Sequence, residues 1–169
     1  MLLFCSAFLS CNAPQQDKLG ASSTKSNKNM TNVELREKIG MALEDMKAKA
    51  IDMGIQGVAT ASILNKGETI DWIGEMKVVG TPLDTKGGFN LVAVAWSKCG
   101  EVIASGADSG NPNRKTLTGE LGYAGGAYSE YEGCKMAFAF SGATSEEDLV
   151  VAKYGIEKMK EYIANDSVK

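Results

Sequence analysis

The residues of this chain that can do chemistry are few, and histidine is not among them. The sequence has 169 residues and contains no His, which is the side chain best suited to move protons or bind metal near neutral pH. Its serines, threonines and cysteines therefore have no imidazole to act as a base. No pair of cysteines has the spacing of a zinc site or of covalent haem attachment. The residues favour a binding protein over an enzyme.

Two cationic residues have surroundings that suggest a role. Lys98 interrupts an apolar helical pattern, where a lysine reaches solvent, pairs with a carboxylate or meets a ligand carboxylate in a pocket. Arg114, in the segment NPNRKT, is a second candidate for holding an anion. A pocket containing both would favour an enzyme acting on a small carboxylate. Glu120 and Glu130 form a candidate acid pair whose separation the sequence leaves open.

A glycine-rich segment between two tyrosines is the other candidate site. Tyr123 and Tyr128 flank the pair Gly125-Gly126. Because glycine has no side chain, a flat ligand can approach the backbone closely at such a pair. We therefore expect ligand contacts from these four residues.

Composition excludes several classes of protein. The apolar fraction of 44% and the charged fraction of 23% are typical of a soluble globular domain. The net charge is −3, and no basic stripe with interleaved aromatic residues is present, so nucleic acid is not an expected partner. No window has the roughly 18–20 apolar residues of a membrane-spanning helix.

The N-terminal segment resembles the end of a bacterial lipoprotein signal peptide. Residues 1–11, MLLFCSAFLSC, are apolar and end at Cys11, which would carry the lipid. Residues 12–30 are polar and too poor in apolar residues to fold, as expected of a tether. This interpretation predicts a domain at 31–169 in the cell envelope, held to the membrane by lipid alone. The alternative is an apolar N-terminus with no targeting role.

Hydrophobic periodicity predicts three helices and five strands. Thr31 and Glu34 have the spacing of a capping box before a helix that ends near Gly54. Residues 90–106 fit a strand at their start and a helix over their whole length, and we assign a helix. The predicted strands are two in a hairpin over 57–80, then 119–123, 127–131 and 134–140.

The stretch SGATSEED, residues 141–148, predicts a corner between the last strand and the last helix. Thr144 with Glu147, and Ser145 with Asp148, both have capping-box spacing. The acids complement the positive end of the helix, which argues against anion binding there. Cys99 and Cys134 are expected to be free buried thiols, although an envelope location would permit a disulfide.

This corner and several upstream segments together resemble the GlcG/HbpS-like family, which includes the PduO C-terminal-like domains. The similar segments are FSGATSEEDLVVAKYGIEKM, the Gly125-Gly126 strand with Glu132-Gly133, AWSKCGEVIASG with Lys98, and GVATASILNKGE. The resemblance implies an α+β, profilin-like fold: a five-stranded antiparallel sheet with helices packed against it. The family's Arg-Met-Asp-Gly segment reads EMKVVG here, so ligand identity does not carry over.

The resemblance implies non-covalent binding of haem or a related planar molecule. The implied ligand-binding residues are Lys98, Arg114, Tyr123, Gly125, Gly126 and Tyr128, and no metal ligand is assigned. Without histidine, iron could be held only by Tyr, Met or Cys; besides the two site tyrosines the candidates are Tyr131, Met76, Met136 and Cys134. The last two fit the core better. The resemblance also implies a homo-oligomer, and a non-catalytic assembly module remains an alternative function.

Overall fold

The computed structural model describes residues 30–81 and 88–166. The proposed lipidation residue Cys11 and nearly all of the proposed tether lie outside the described residues. The elements are α1 (Asn32–Asp52), β1 (Gly57–Leu64), β2 (Trp72–Val79), α2 (Leu91–Ser105), β3 (Gly126–Tyr131), β4 (Cys134–Ser141) and α3 (Ser145–Asp166). The prediction of an α+β domain with three helices is confirmed, including the helical assignment of α2.

The sheet is antiparallel and has four strands in the order β2-β1-β4-β3. The predicted fifth strand at 119–123 is wrong, so the described residues do not form the five-stranded profilin-like sheet. Gly119 and Gly122 have φ values of +98° and +68°, and a residue with positive φ interrupts an extended strand. The N–H of Leu121 donates to Ser97 Oγ rather than to a neighbouring strand.

Local capping interactions determine where the helices begin and end. Thr31 and Glu34 form the predicted capping box at the start of α1. Before α3, the Thr144 N–H donates to the Glu147 carboxylate, and the Glu147 N–H donates to Thr144 Oγ1. Helix α2 ends at Gly106, whose φ of +63° suits a left-handed cap.

The two faces of the sheet carry side chains of different size. One face presents Met136, Phe138 and Phe140 from β4 to α1 and α3, and these side chains are fully buried. The other face presents small residues to α2, namely Thr60, Ser62, Gly74, Ala137 and Ala139. Small residues let α2 lie close to the strands, and Thr60 Oγ1 donates directly to the Ala95 carbonyl at 3.3 Å.

Both cysteines of the described region are buried and free, as predicted. Cys99 lies on the α2 side of the sheet and Cys134 in the core beneath α1 and α3. Within 30–81 and 88–166, none of the helices is long and apolar enough to cross a membrane.

Candidate functional site

Lys98 is buried beneath the glycine pair and forms an ion pair there. Its ammonium group donates to Asp148 Oδ2 at 2.6 Å and to the Phe140 carbonyl at 3.0 Å. The two side chains are only 4% and 3% exposed. The pair therefore joins the middle of α2 to the first turn of α3 and the end of β4.

Asp148 is the partner of Lys98 and not a second capping residue. Its Oδ1 accepts the Ala143 N–H at 3.0 Å, at the corner that precedes α3. Burial raises the pKa of the Asp148 carboxyl, and the Lys98 ammonium with two backbone N–H groups offsets only part of that shift. Lys98 therefore favours the charged form of this buried carboxyl group.

The glycine pair lies against this ion pair. Gly125 has φ +118°, and a Cβ atom there would lie 2.7 Å from Lys98 Nζ and 2.6 Å from Asp148 Cβ. A Cβ atom on Gly126 would meet Val102 and the Ser109 hydroxyl. The close approach that these glycines permit is therefore made by the protein's own side chains. Their contact with a ligand stays a prediction.

Arg114 closes a second cluster of charges on the loop 107–125. Its guanidinium donates through two nitrogens to the two carboxylate oxygens of Glu120, at 2.7 Å each, and one nitrogen lies 3.6 Å from Glu101 Oε1. The guanidinium lowers the pKa of Glu120. Lys98 and Arg114 thus have separate carboxylate partners, and the structure does not bring them together as a pair of free cations.

The two candidate tyrosines differ in how available their hydroxyl groups are. Tyr123 is 46% exposed. The Tyr128 hydroxyl donates to Glu130, and burial together with that carboxylate raises the pKa of Tyr128 to about 12. Glu130 and Glu120 therefore have different partners and do not form an acid pair with each other. Of the other iron-ligand candidates, Met136 and Cys134 are buried in the core, whereas Met76 is 40% exposed.

The outer face of α2 carries no charge. The sequence patterns described above did not predict this feature. The exposed positions Ala93, Gly100 and Ala104 recur at steps of seven and four residues and share one face. The charged residues of the helix, Lys98 and Glu101, are both buried. The signal was available in the sequence: the row of small residues Ala93, Gly100 and Ala104 contains neither of the two charged residues of the helix.

Apolar side chains border this face. On one side the half-buried Trp96 packs over Gly74 of β2. On the other side Leu121 is held beside α2 by its bond to Ser97 Oγ, and the same loop exposes Leu117 and Tyr123. We name the uncharged α2 residues together with Trp96, Leu117, Leu121 and Tyr123 the α2 surface. A group of three or more His, Cys, Asp or Glu residues placed to hold a metal ion does not occur among the residues described.

No protein-family model matches the sequence. No curated protein matches it either. Solved structures do resemble the fold. One is Klebsiella pneumoniae protein ORFY, of family model DUF336, with a TM-score of 0.53 and 14% identity over 89% of this chain and 97% of that one. A PduOC:heme complex has a TM-score of 0.50 and 14% identity over 78% of this chain and 95% of that one. At this level of identity the likeness concerns the fold alone, and this chain has a GlcG/DUF336-like fold.

Proposed function

We propose that this domain binds haem or a related planar molecule non-covalently on the α2 surface. The observation that carries the proposal is the uncharged outer face of α2, where Ala93, Gly100 and Ala104 leave a floor without large side chains. A Cβ atom added at Gly100 would meet nothing within 4 Å. A flat apolar ring stacks well on such a floor beside an aromatic side chain, which Trp96 of the same helix supplies. The PduOC:heme complex adds support, because a protein of similar fold is in complex with heme.

The residues present fit a haem in part. Tyr123 offers an exposed phenol, and tyrosine is a known axial ligand of haem iron. Tyr128 is a poorer candidate because its hydroxyl is bound to Glu130 and its pKa is raised to about 12. Lys115, exposed on the same loop, offers a cation to a propionate. Lys98 contributes indirectly, since its pair with Asp148 fixes α2 under the glycine pair.

A haem titration followed by absorbance tests this proposal. Wild-type protein should shift the Soret band saturably at micromolar concentration. Ala93→Glu places a charge on the α2 surface in the first turn of the helix, where an acid is tolerated, and should weaken binding strongly. Val150→Glu places the same charge in the second turn of α3, at a 48% exposed position, and should bind as wild type does. The absence of saturation, or equal binding by Ala93→Glu, would refute the site.

Spectra of tyrosine variants separate ligation from stacking. Tyr123→Phe should change the spectrum of bound haem if the phenol ligates iron, whereas Tyr128→Phe should leave it unchanged. A reductant should cause no faster loss of the haem band than occurs with free haem, because no imidazole is available for proton transfer.

The α2 surface also favours a second candidate function, assembly of identical chains. An uncharged helix face bordered by exposed leucines resembles the centre of a protein interface more than a solvated surface. Light scattering during size-exclusion chromatography distinguishes the two. A wild-type oligomer that becomes monomeric in Ala93→Glu without any haem binding would favour assembly alone.

Envelope anchoring through Cys11 is a further part of the proposal, supported by the sequence of residues 1–30. Metabolic labelling with a fatty-acid analogue should modify the wild-type chain and leave Cys11→Ala unlabelled. Label on Cys11→Ala, or recovery of the wild type as soluble cytosolic protein, would contradict it.

A further inference from the structure

A buried carboxylate lies under the loop 107–125, and one of its oxygens has no donor. Glu101 is 2% exposed. Its Oε1 accepts the Gly110 N–H at 2.9 Å. Its Oε2 is buried and has no hydrogen-bond partner among the described residues. A carboxylate oxygen can only accept, and an unpaired acceptor inside a protein loses the hydrogen bonds that water would give it. Oε2 therefore favours a donor from outside the chain.

The charges around Glu101 favour a cationic donor. Glu101 and Glu120 are two carboxylates that share one guanidinium, that of Arg114. Two negative charges against one positive leave the cluster with one net negative charge. Lys98, one turn earlier on α2, is already paired with Asp148. An anionic ligand is disfavoured here, and a cation is attracted.

The groups around Glu101 favour an ammonium ligand over a metal ion. The described residues contain no group of three or more His, Cys, Asp or Glu placed to hold a metal. Arg114 already bonds to the carboxylate of Glu120 and approaches that of Glu101 through N–H groups. A ligand that replaces it at Glu101 must likewise donate hydrogen bonds while it carries positive charge. A primary ammonium group does both and is small enough for a closed site.

The loop over Glu101 is held mainly by polar contacts. None of the residues 111–124 is buried. Besides the Arg114 bonds, the loop is fixed by Leu121 N–H to Ser97 Oγ at 3.1 Å and by Ser109 Oγ to the Tyr123 carbonyl at 2.8 Å. Segments with few buried apolar contacts open at low free energy. Opening of this loop gives a ligand access to Oε2.

We propose that Glu101 anchors a binding site for a primary ammonium group beneath the loop 107–125, and that Arg114 is the internal cation that competes with this ligand. The site is distinct from the haem proposal, because it lies under the loop and takes a small cation. The proposal also predicts that removal of Arg114 should strengthen binding of the ammonium ligand.

Methylammonium chloride is the probe, and tetramethylammonium chloride is the control of equal charge that cannot donate a hydrogen bond. Amide resonances are followed by NMR during titration of the protein. The Gly110 amide, which donates to Glu101, should shift saturably with methylammonium and not with tetramethylammonium. No saturable shift, or the same shift with both salts, would overturn the proposal.

Two pairs of variants locate the site. Glu101→Gln should weaken methylammonium binding by about tenfold or more, because a charge-assisted bond is lost. Glu68→Gln, at an exposed position in the β1–β2 turn, should bind as wild type does. Arg114→Ala should bind more tightly, and Lys135→Ala, at an exposed position on β4, should be unchanged. Wild-type affinity in Glu101→Gln, or no gain of affinity in Arg114→Ala, would show that Glu101 does not anchor this ligand. If Glu101→Gln does not fold, the comparison of Arg114→Ala with its lysine control decides.

Discussion

Replacing Lys98 by Met tests how much the buried ion pair contributes to stability. Met has a similar length and fills most of the same space, so the main loss is electrostatic. The substitution leaves Asp148, whose side chain is 3% exposed, without its ammonium partner. It also removes the donor to the Phe140 carbonyl. Breaking a buried pair on one side costs about 3–5 kcal/mol.

Protonation of Asp148 sets an upper bound on the electrostatic part of the stability loss. The buried carboxyl can take up a proton instead of remaining charged. For a carboxyl with an ordinary pKa of about 3.9, protonation costs about 4 kcal/mol at pH 7 and about 1.5 kcal/mol at pH 5. The loss caused by Lys98→Met should therefore be larger at pH 7 than at pH 5, by up to about 2.7 kcal/mol.

The sign of this pH dependence follows from linkage. Without Lys98 the pKa of Asp148 in the folded state rises further above its unfolded value, because burial is then less opposed. The folded variant then binds more protons than the unfolded chain. Its stability is present at low pH and is lost as pH rises from the unfolded pKa through the folded one.

Urea denaturation followed by circular dichroism at pH 5 and pH 7 measures both effects. Lys135→Met, at an exposed position on β4, is the matched control and should change stability by less than about 0.5 kcal/mol. The double variant Lys98→Met/Asp148→Leu should recover part of the loss, because no charge is left buried. A loss below about 1 kcal/mol at pH 7, or an equal loss at both pH values, would refute the reasoning.

Three further predictions concern the same region. Gly125→Ala should lower the free energy of unfolding by more than Gly67→Ala does. Both glycines have positive φ, but only Gly125 has atoms within 3 Å of the new Cβ. Urea denaturation should give a loss of about 1–2 kcal/mol for Gly67→Ala, and equal losses in the two variants would contradict this prediction. In an absorbance titration, Tyr128→Phe should remove a phenol that ionises at about pH 12, and loss of a transition near pH 10 instead would argue against the bond to Glu130. The ion pair of Arg114 with Glu120 should persist above the ordinary carboxyl pKa of 4.5 and break as the pH falls through the lowered pKa of Glu120 in the folded state. NMR of the Leu117 amide should show this transition. Arg114→Ala should move the transition of the Leu117 amide to higher pH, and an unmoved transition would count against the pair.

Most of the secondary structure could be predicted because its signals are local. The capping box of Thr31 and Glu34 and the hairpin turn at 65–67 depend on residues close together in the chain. The strand predicted at 119–123 failed because its glycines adopt positive φ and its backbone bonds to a side chain on α2. The sequence alone does not distinguish a short strand from a loop pinned by one distant serine.

The candidate site was less accessible to sequence reasoning because its partners are distant in the chain. Lys98 and Asp148 are 50 positions apart. Pairing with a carboxylate was one of the roles considered for Lys98, but nothing in the sequence identified which carboxylate. Asp148 also fitted a capping position, and that simpler role concealed the one it has. Of the glycines that suggested a ligand, Gly125 makes room for this ion pair and Gly126 makes room for Val102 and Ser109.

Helix α2 explains why binding is proposed at a surface that the sequence did not indicate. An amphipathic helix normally buries its apolar stripe and exposes its charges. Here both charges face inward, where Lys98 and Glu101 bind other parts of the chain. The outward positions are consequently occupied by Ala and Gly, and none of them carries a charge that would oppose contact with an apolar surface. This uncharged row is the basis of our proposal that a ligand or a second copy of the chain covers the α2 surface. The fold, shared at 14% identity with structurally similar proteins, does not specify a ligand, and we propose a flat apolar one because the outward positions of α2 carry no charge.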